Sequence, residues 1–115
     1  MIDYRELVEQ ACRAIRADPH LGPALGIARA TARDPLKAAL TTLLGETLAR
    51  RAECAVAGFV AFVGPRRLTV EEYDLLAHYV LSAALSRRVG PERLILIGAT
   101  LTTIRAAVLP GHSQI

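Results

Sequence analysis

The chain has 115 residues, the length of a single domain, and a formal net charge of +3. Hydrophobic residues make up 52% and aromatics only 4%, so the apolar content is mostly Ala, Leu, Val and Ile, a composition that favours closely packed helices. The longest apolar run, Ala55 to Gly64, is about half of what a membrane span needs. The acidic, polar start MIDYRELVEQ does not read as a signal peptide, and the expectation is a cytoplasmic protein.

A first helix is expected from about Asp3 to Ala17, because Tyr4, Leu7, Ala11 and Ile15 recur at helical spacing. Glu9 and Arg13 stand four apart on its outer face, in the favourable order. Asp18-Pro19 ends it, since the residue before a proline avoids the helical region. Gly22-Pro23 breaks the chain again, and a short helix is expected over Pro23 to Arg33. Asp34 then reads as an N-cap with Pro35 at the first helical position. From Leu36 the stripe Leu40, Leu43, Leu44, Leu48 can run on through RRAECAVAGFVAFV to Val63. Such a helix is long for a globular protein, and Gly45 and Gly58 are the expected places for a break, a kink or a close crossing.

The phrase VGPRRL, Val63 to Leu68, returns as VGPERL, Val89 to Leu94. Its residues read as punctuation. Gly64 suits the left-handed position that closes a helix, and Pro65 cannot extend one. Thr69 and Glu72 form a capping box, with Leu68 placed as a hydrophobic staple. The helix they open runs from about Val70 to Arg88. Glu71, Asp74, His78, Ser82 and Ser86 share one side of it. The remaining arc, Tyr73, Leu76, Ala77, Val80, Ala83, Ala84 and Leu85, is wider than one neighbour needs. Val89-Gly90 is expected to stop this helix and Pro91-Glu92 to open the next.

The last element, ERLILIGATLTTIRAAVL, has apolar residues three and four apart at Leu94, Ile97, Leu101, Ile104 and Val108, which reads as helix. Its Ile and Thr content leaves two short strands about Gly98 as the alternative. The expected fold is therefore all-α: a compact bundle of four to five helices joined by Gly-Pro corners. It forms one domain over residues 1–109 with a tail at 110–115. The alternative is a small α+β fold with strands near 55–63 and 94–109.

Catalytic signals are missing from this sequence. His20, His78 and His112 share no metal-ligand spacing with each other, with cysteines or with carboxylates. No G-x-S-x-G, P-loop or G-x-G-x-x-G motif is present. Cys12 and Cys54 read as isolated, buried thiols, and the sequence leaves open whether they pair. No enzyme activity, cofactor or metal is expected. A small α+β enzyme or ligand-binding domain would need the last element to be strands.

Basic residues carry the sharper hypothesis. The doublets Arg50-Arg51, Arg66-Arg67 and Arg87-Arg88 fall at or near helix ends. If those ends gather on one side of the bundle, the six arginines can contact a phosphate backbone. A helix-turn-helix DNA reader is disfavoured, because Leu94 to Ile97 are apolar where base-reading side chains are needed. The preferred reading is a non-enzymatic assembly subunit that self-associates or docks into a larger complex. Its expected interface is the apolar surplus at Val80, Ala83, Ala84, Ile97, Leu101 and Ile104. The rival is a small basic nucleic-acid-binding protein, and a nucleoprotein or capsid-like subunit would combine the two.

Overall fold

The computed structural model describes residues 4–25 and 35–109. Among them are six α-helices and no strand: α1 (Tyr4–Ala17), α2 (Leu21–Ala24), α3 (Pro35–Leu48), α4 (Ala52–Val63), α5 (Val70–Ser86) and α6 (Pro91–Val108). The protein is all-α. Both stretches of the strand alternative lie in helices, α4 and α6. In α6 the threonines that suggested strands turn back on the helix. Thr100, Thr102 and Thr103 each donate a hydroxyl hydrogen bond to the carbonyl four residues earlier, at 2.9, 2.9 and 3.0 Å, which satisfies them without a sheet.

Helix α1 presents Leu7, Val8, Ala11, Cys12 and Ile15 to the core, each at most 4% exposed. At its end the Asp18 carboxylate accepts from the backbone N–H groups of His20 and Leu21, at 2.9 and 2.8 Å, and so starts α2. The helix expected over Pro23 to Arg33 is described only as far as α2 and Leu25. The rest of it and the Asp34 cap fall outside the described residues.

The single long helix expected from Leu36 to Val63 is two helices, and it breaks at neither glycine. Arg50 takes the left-handed conformation, φ 62°. The Arg50 N–H bonds to the Thr47 carbonyl at 3.1 Å and the Arg51 N–H to the Glu46 carbonyl at 2.8 Å, the paired bonds of a Schellman stop. The end of α5 repeats this at Arg88, φ 57°, with Arg88 N–H on Leu85 and Val89 N–H on Ala84, both at 3.0 Å. After α4 a 3-10 turn over Gly64–Arg66 is closed by Arg67, φ 50°. Gly64 itself is right-handed (φ −51°) and Gly90 is extended (φ −66°, ψ 157°). The left-handed position expected at Gly64 thus falls on Arg67, and the stops after α3 and α5 also use an arginine. Each doublet places one arginine at a left-handed stop, where a cation also meets the negative end of the helix it follows.

The repeated phrase does two different jobs. Its first copy leaves a helix, with Val63 as the last residue of α4; its second enters one, with Gly90 as the N-cap and Pro91 in the first turn of α6. The one changed letter follows the helix dipole: Arg66 sits beyond a C-terminus, and Glu92 sits in a first turn.

The capping box of α5 is present on both sides. Thr69 Oγ1 accepts from the Glu72 N–H at 3.1 Å, and Glu72 Oε1 accepts from the Thr69 N–H at 2.8 Å. Leu68 and Tyr73, the two ends of the staple, are both buried. Tyr73 also donates its phenol hydrogen to the Leu101 carbonyl at 2.6 Å, tying α5 to α6 inside the core.

Helix α1 packs on α3 and α5, α3 on α4 and α6, and α4 and α5 on α6. The molecule measures 39 × 34 × 21 Å. Its short axis equals about two helix diameters, so each helix shows an outer face to solvent.

Candidate functional site

The six residues expected at an interface belong to the chain's own core. Val80, Ala83, Ala84, Ile97, Leu101 and Ile104 are all at most 2% exposed. The wide apolar arc of α5 is used up inside the molecule, because α1, α2 and α6 all pack on it. Only Leu85 at its end is open, and with Ile95 it is one of two large hydrophobics exposed among the described residues, at 62% and 70%.

The arginine doublets divide their labour. Arg51 pairs with Glu46 at 2.8 Å. Arg87 pairs with Glu6 at 2.7 Å and hydrogen-bonds to Gln10 at 3.1 Å. Arg66 donates to the carbonyls of Leu25, at 3.0 Å, and Phe62, and its guanidinium lies 4.1 Å from the Phe62 ring centre, a cation–π contact. The side chains of their neighbours Arg50, Arg67 and Arg88, the left-handed residues, make no hydrogen bond or ion pair among the described residues. The doublets do not gather at one end. Helix α5 alone, about 26 Å long, separates the Arg66-Arg67 turn at its start from Arg87-Arg88 at its end. Arg50 and Arg93 do meet, around a cavity of about 500 Å³ bounded by Leu48, Leu96 and the start of α6.

That cavity fixes the direction of two helices. Arg50 precedes α4 and Gly90–Arg93 opens α6, so the two N-termini lie at the same end and the helices run parallel. Between them is a groove of about 600 Å³. Val56, Ala57 and Val60 of α4 form one wall; Leu96, Ala99, Thr103 and Ala107 of α6 form the other. The groove's single ionisable residue is Glu53, near its mouth. Over the rim from Ala57, α4 continues its exposed surface with Cys54, Gly58 and Ala61. Glu53 is the only charged residue among the 12 of α4. A helix apolar on all sides is ordinarily buried on all sides; α4 buries only Ala55, Phe59 and Val63 fully.

Neither cysteine is in a disulfide: Cys12 is buried in the core and Cys54 stands on the outer face of α4. His78 is exposed, with Ser82 Oγ at 3.4 Å from its Nε2. Among the described residues no cluster of three His, Cys, Asp or Glu side chains could hold a metal, and no helix is long and apolar enough to cross a membrane. The sequence did hold the signal for the groove, in the uncharged stretch from Cys54 to Pro65, but helical spacing alone did not say which of its faces would stay open. No protein-family model, curated protein or solved structure matches this chain.

Proposed function

We propose that this protein is a non-enzymatic assembly subunit, and that it self-associates or docks into a larger complex through the α4–α6 groove. The observation that carries the reading is the groove's apolar lining, Val56, Ala57 and Val60 facing Leu96, Ala99 and Ala107, which the uncharged outer face of α4 extends beyond the rim at Cys54, Gly58 and Ala61. A contiguous apolar surface of this kind marks contact sites in soluble proteins. Its small side chains let a partner helix come close. The test is a photoreactive amino acid placed in turn at Ala57 and at Glu71, which is exposed on α5, in cells making the protein. The Ala57 position gives discrete adducts of higher mass and the Glu71 position does not. Equal labelling at both positions, or none at either, contradicts the reading.

Nucleic-acid binding is the second reading. It is favoured by the exposed guanidinium groups of Arg50, Arg88 and Arg93 near one end of the bundle, which have no carboxylate partner among the described residues. Phosphate contacts of this kind are insensitive to sequence and steeply salt-dependent. Replacing Arg50, Arg88 and Arg93 with Gln flattens the salt dependence of binding to mixed-sequence duplex DNA and RNA. No retention of either by the unmodified protein at ~50 mM salt contradicts it.

A further inference from the structure

We propose that the cavity between the α3–α4 and α5–α6 corners takes a small phosphate monoester, with its phosphate held between the guanidinium groups of Arg50 and Arg93. The inference shares those two arginines with the nucleic-acid reading but needs neither a strand nor Arg88. It is independent of the docking reading.

Unused charge is the first argument. Among the described residues Lys37, Arg51, Arg87 and Arg105 each pair with a carboxylate, at 2.9, 2.8, 2.7 and 2.9 Å. Arg50 and Arg93 do not, although Glu92 lines the same cavity. Two guanidinium groups from different parts of the chain thus border one cavity with their side-chain donors open, against a single carboxylate. A guanidinium stays charged at every accessible pH, and its planar fork of N–H groups matches the oxygens of a phosphate. The start of α6 adds potential of the same sign.

The backbone gives the second. Arg50 is left-handed, φ 62°, a conformation that costs a side chain more than it costs glycine. A cation after α3 recovers part of that cost from the helix dipole, as Arg67 and Arg88 do after their own helices. Arg50 differs from Arg67 in having a second unpaired arginine, Arg93, on the same cavity. Strain kept at a residue whose side chain bonds to nothing in its own chain points to a ligand outside it.

The walls give the third. The cavity has a volume of about 500 Å³, within the range of sites for small ligands. Leu48 and Leu96, both half-buried, make part of its wall apolar. Such a lining takes the carbon part of a ligand beside its charged group. The sugar-phosphate edge of a duplex has no use for that wall, so the phosphate is assigned to a small molecule.

The experiment titrates the full chain calorimetrically at ~50 mM salt with adenosine monophosphate, adenosine, inorganic phosphate and a mixed-sequence RNA duplex. Adenosine monophosphate binds at least about tenfold more tightly than adenosine or inorganic phosphate. Arg50→Gly and Arg93→Gln each weaken it about tenfold, whereas Arg88→Gln and Arg67→Gln leave it unchanged. Arg67 is the matched control, being left-handed and unpaired at the other end of α5. Arg50→Gly relieves a left-handed residue and melts no lower than the unmodified chain, so its weaker binding does not come from misfolding. Equal binding of adenosine and its monophosphate, or equal losses at Arg67→Gln and Arg50→Gly, overturns the site. Inorganic phosphate bound as tightly as the monoester overturns the part given to the apolar wall. Binding of the duplex without the monophosphate overturns the small ligand and leaves the nucleic-acid reading standing. Binding of neither overturns both, and the docking reading, tested at Ala57, is untouched.

Discussion

Helices α1 and α4 both pack on α3, and they treat water in opposite ways. In α1 the inward stripe Leu7, Val8, Ala11, Cys12, Ile15 is matched by an outward face of Arg5, Glu6, Glu9 and Arg13. In α4 the inward stripe Ala55, Phe59, Val63 is matched by an outward face of Cys54, Ala57, Gly58 and Ala61. Folding needs only the inward stripe of each. Solubility explains the outward face of α1, and no property of the isolated chain explains that of α4. The difference separates the residues that hold this molecule together from the uncharged face proposed as its contact surface.

The sharpest way to break the comparison is within α4 itself. Phe59→Ala removes a side chain that is 1% exposed and should cost about 3–5 kcal/mol, enough to unfold much of a domain of ordinary stability. Ala61→Arg, two positions away on the outer face, should change the stability of the monomer by less than about 0.5 kcal/mol. Chemical denaturation of both variants at low concentration checks the pair. Similar losses at the two positions would mean that the outer face of α4 is held by the chain itself.

Two smaller effects test the helix ends. Thr69→Ala removes the hydroxyl that accepts from the Glu72 N–H and should cost about 1 kcal/mol, read as a lower denaturation midpoint. Arg88→Gly relieves a left-handed residue with a side chain and should gain up to about 1 kcal/mol. A loss at Arg88→Gly would mean that its side chain holds the corner together.

The capping box and the first stripe were legible because their signals are local: Thr69, Glu72 and Leu68 act within one turn, and Leu7, Ala11 and Ile15 within one helix. The left-handed stops were not legible, because any residue can be forced into that conformation by the bonds around it. Sequence points to Gly64 and Gly90, while the backbone turns at Arg67 and Arg88. The doublets had a reason in the fold that charge alone did not suggest. The burial of the six residues expected at an interface was missed for a different reason. Periodicity counts apolar residues on α5 but does not count the neighbours that cover them. Val80 and Ala84 are buried on a helix that three others pack against, while Ala57 and Ala61, less apolar and easier to overlook, stay exposed.

The smallest effect concerns pH and the corner between α1 and α2. Asp18 accepts a 2.6 Å hydrogen bond from the Tyr79 hydroxyl. That bond, with those from the Leu21 and His20 N–H groups, holds its carboxyl below the usual 3.8. The same bond raises the Tyr79 phenol above its usual 10.0. A carboxylate lowered on folding stabilises fully above its unfolded value, and the contribution fades as pH falls through the folded one. A phenol raised on folding contributes below 10.0 and fades as pH rises through the higher folded value. Thermal melts should therefore show a loss for the unmodified chain below pH 3.8 that is shallower in Asp18→Asn. Identical acid limbs would mean that Asp18 does not anchor this corner.

The contrast between α1 and α4 is tested most directly by the mass of the unmodified protein as a function of concentration, followed by light scattering behind a sizing column. If the outer face of α4 is a contact surface filled by a second copy, the mass climbs from 12.4 kDa towards twice that value through the micromolar range, and Ala61→Arg returns it to the monomer while remaining folded. A soluble chain that stays at 12.4 kDa throughout, with Ala61→Arg indistinguishable from it, would contradict that account.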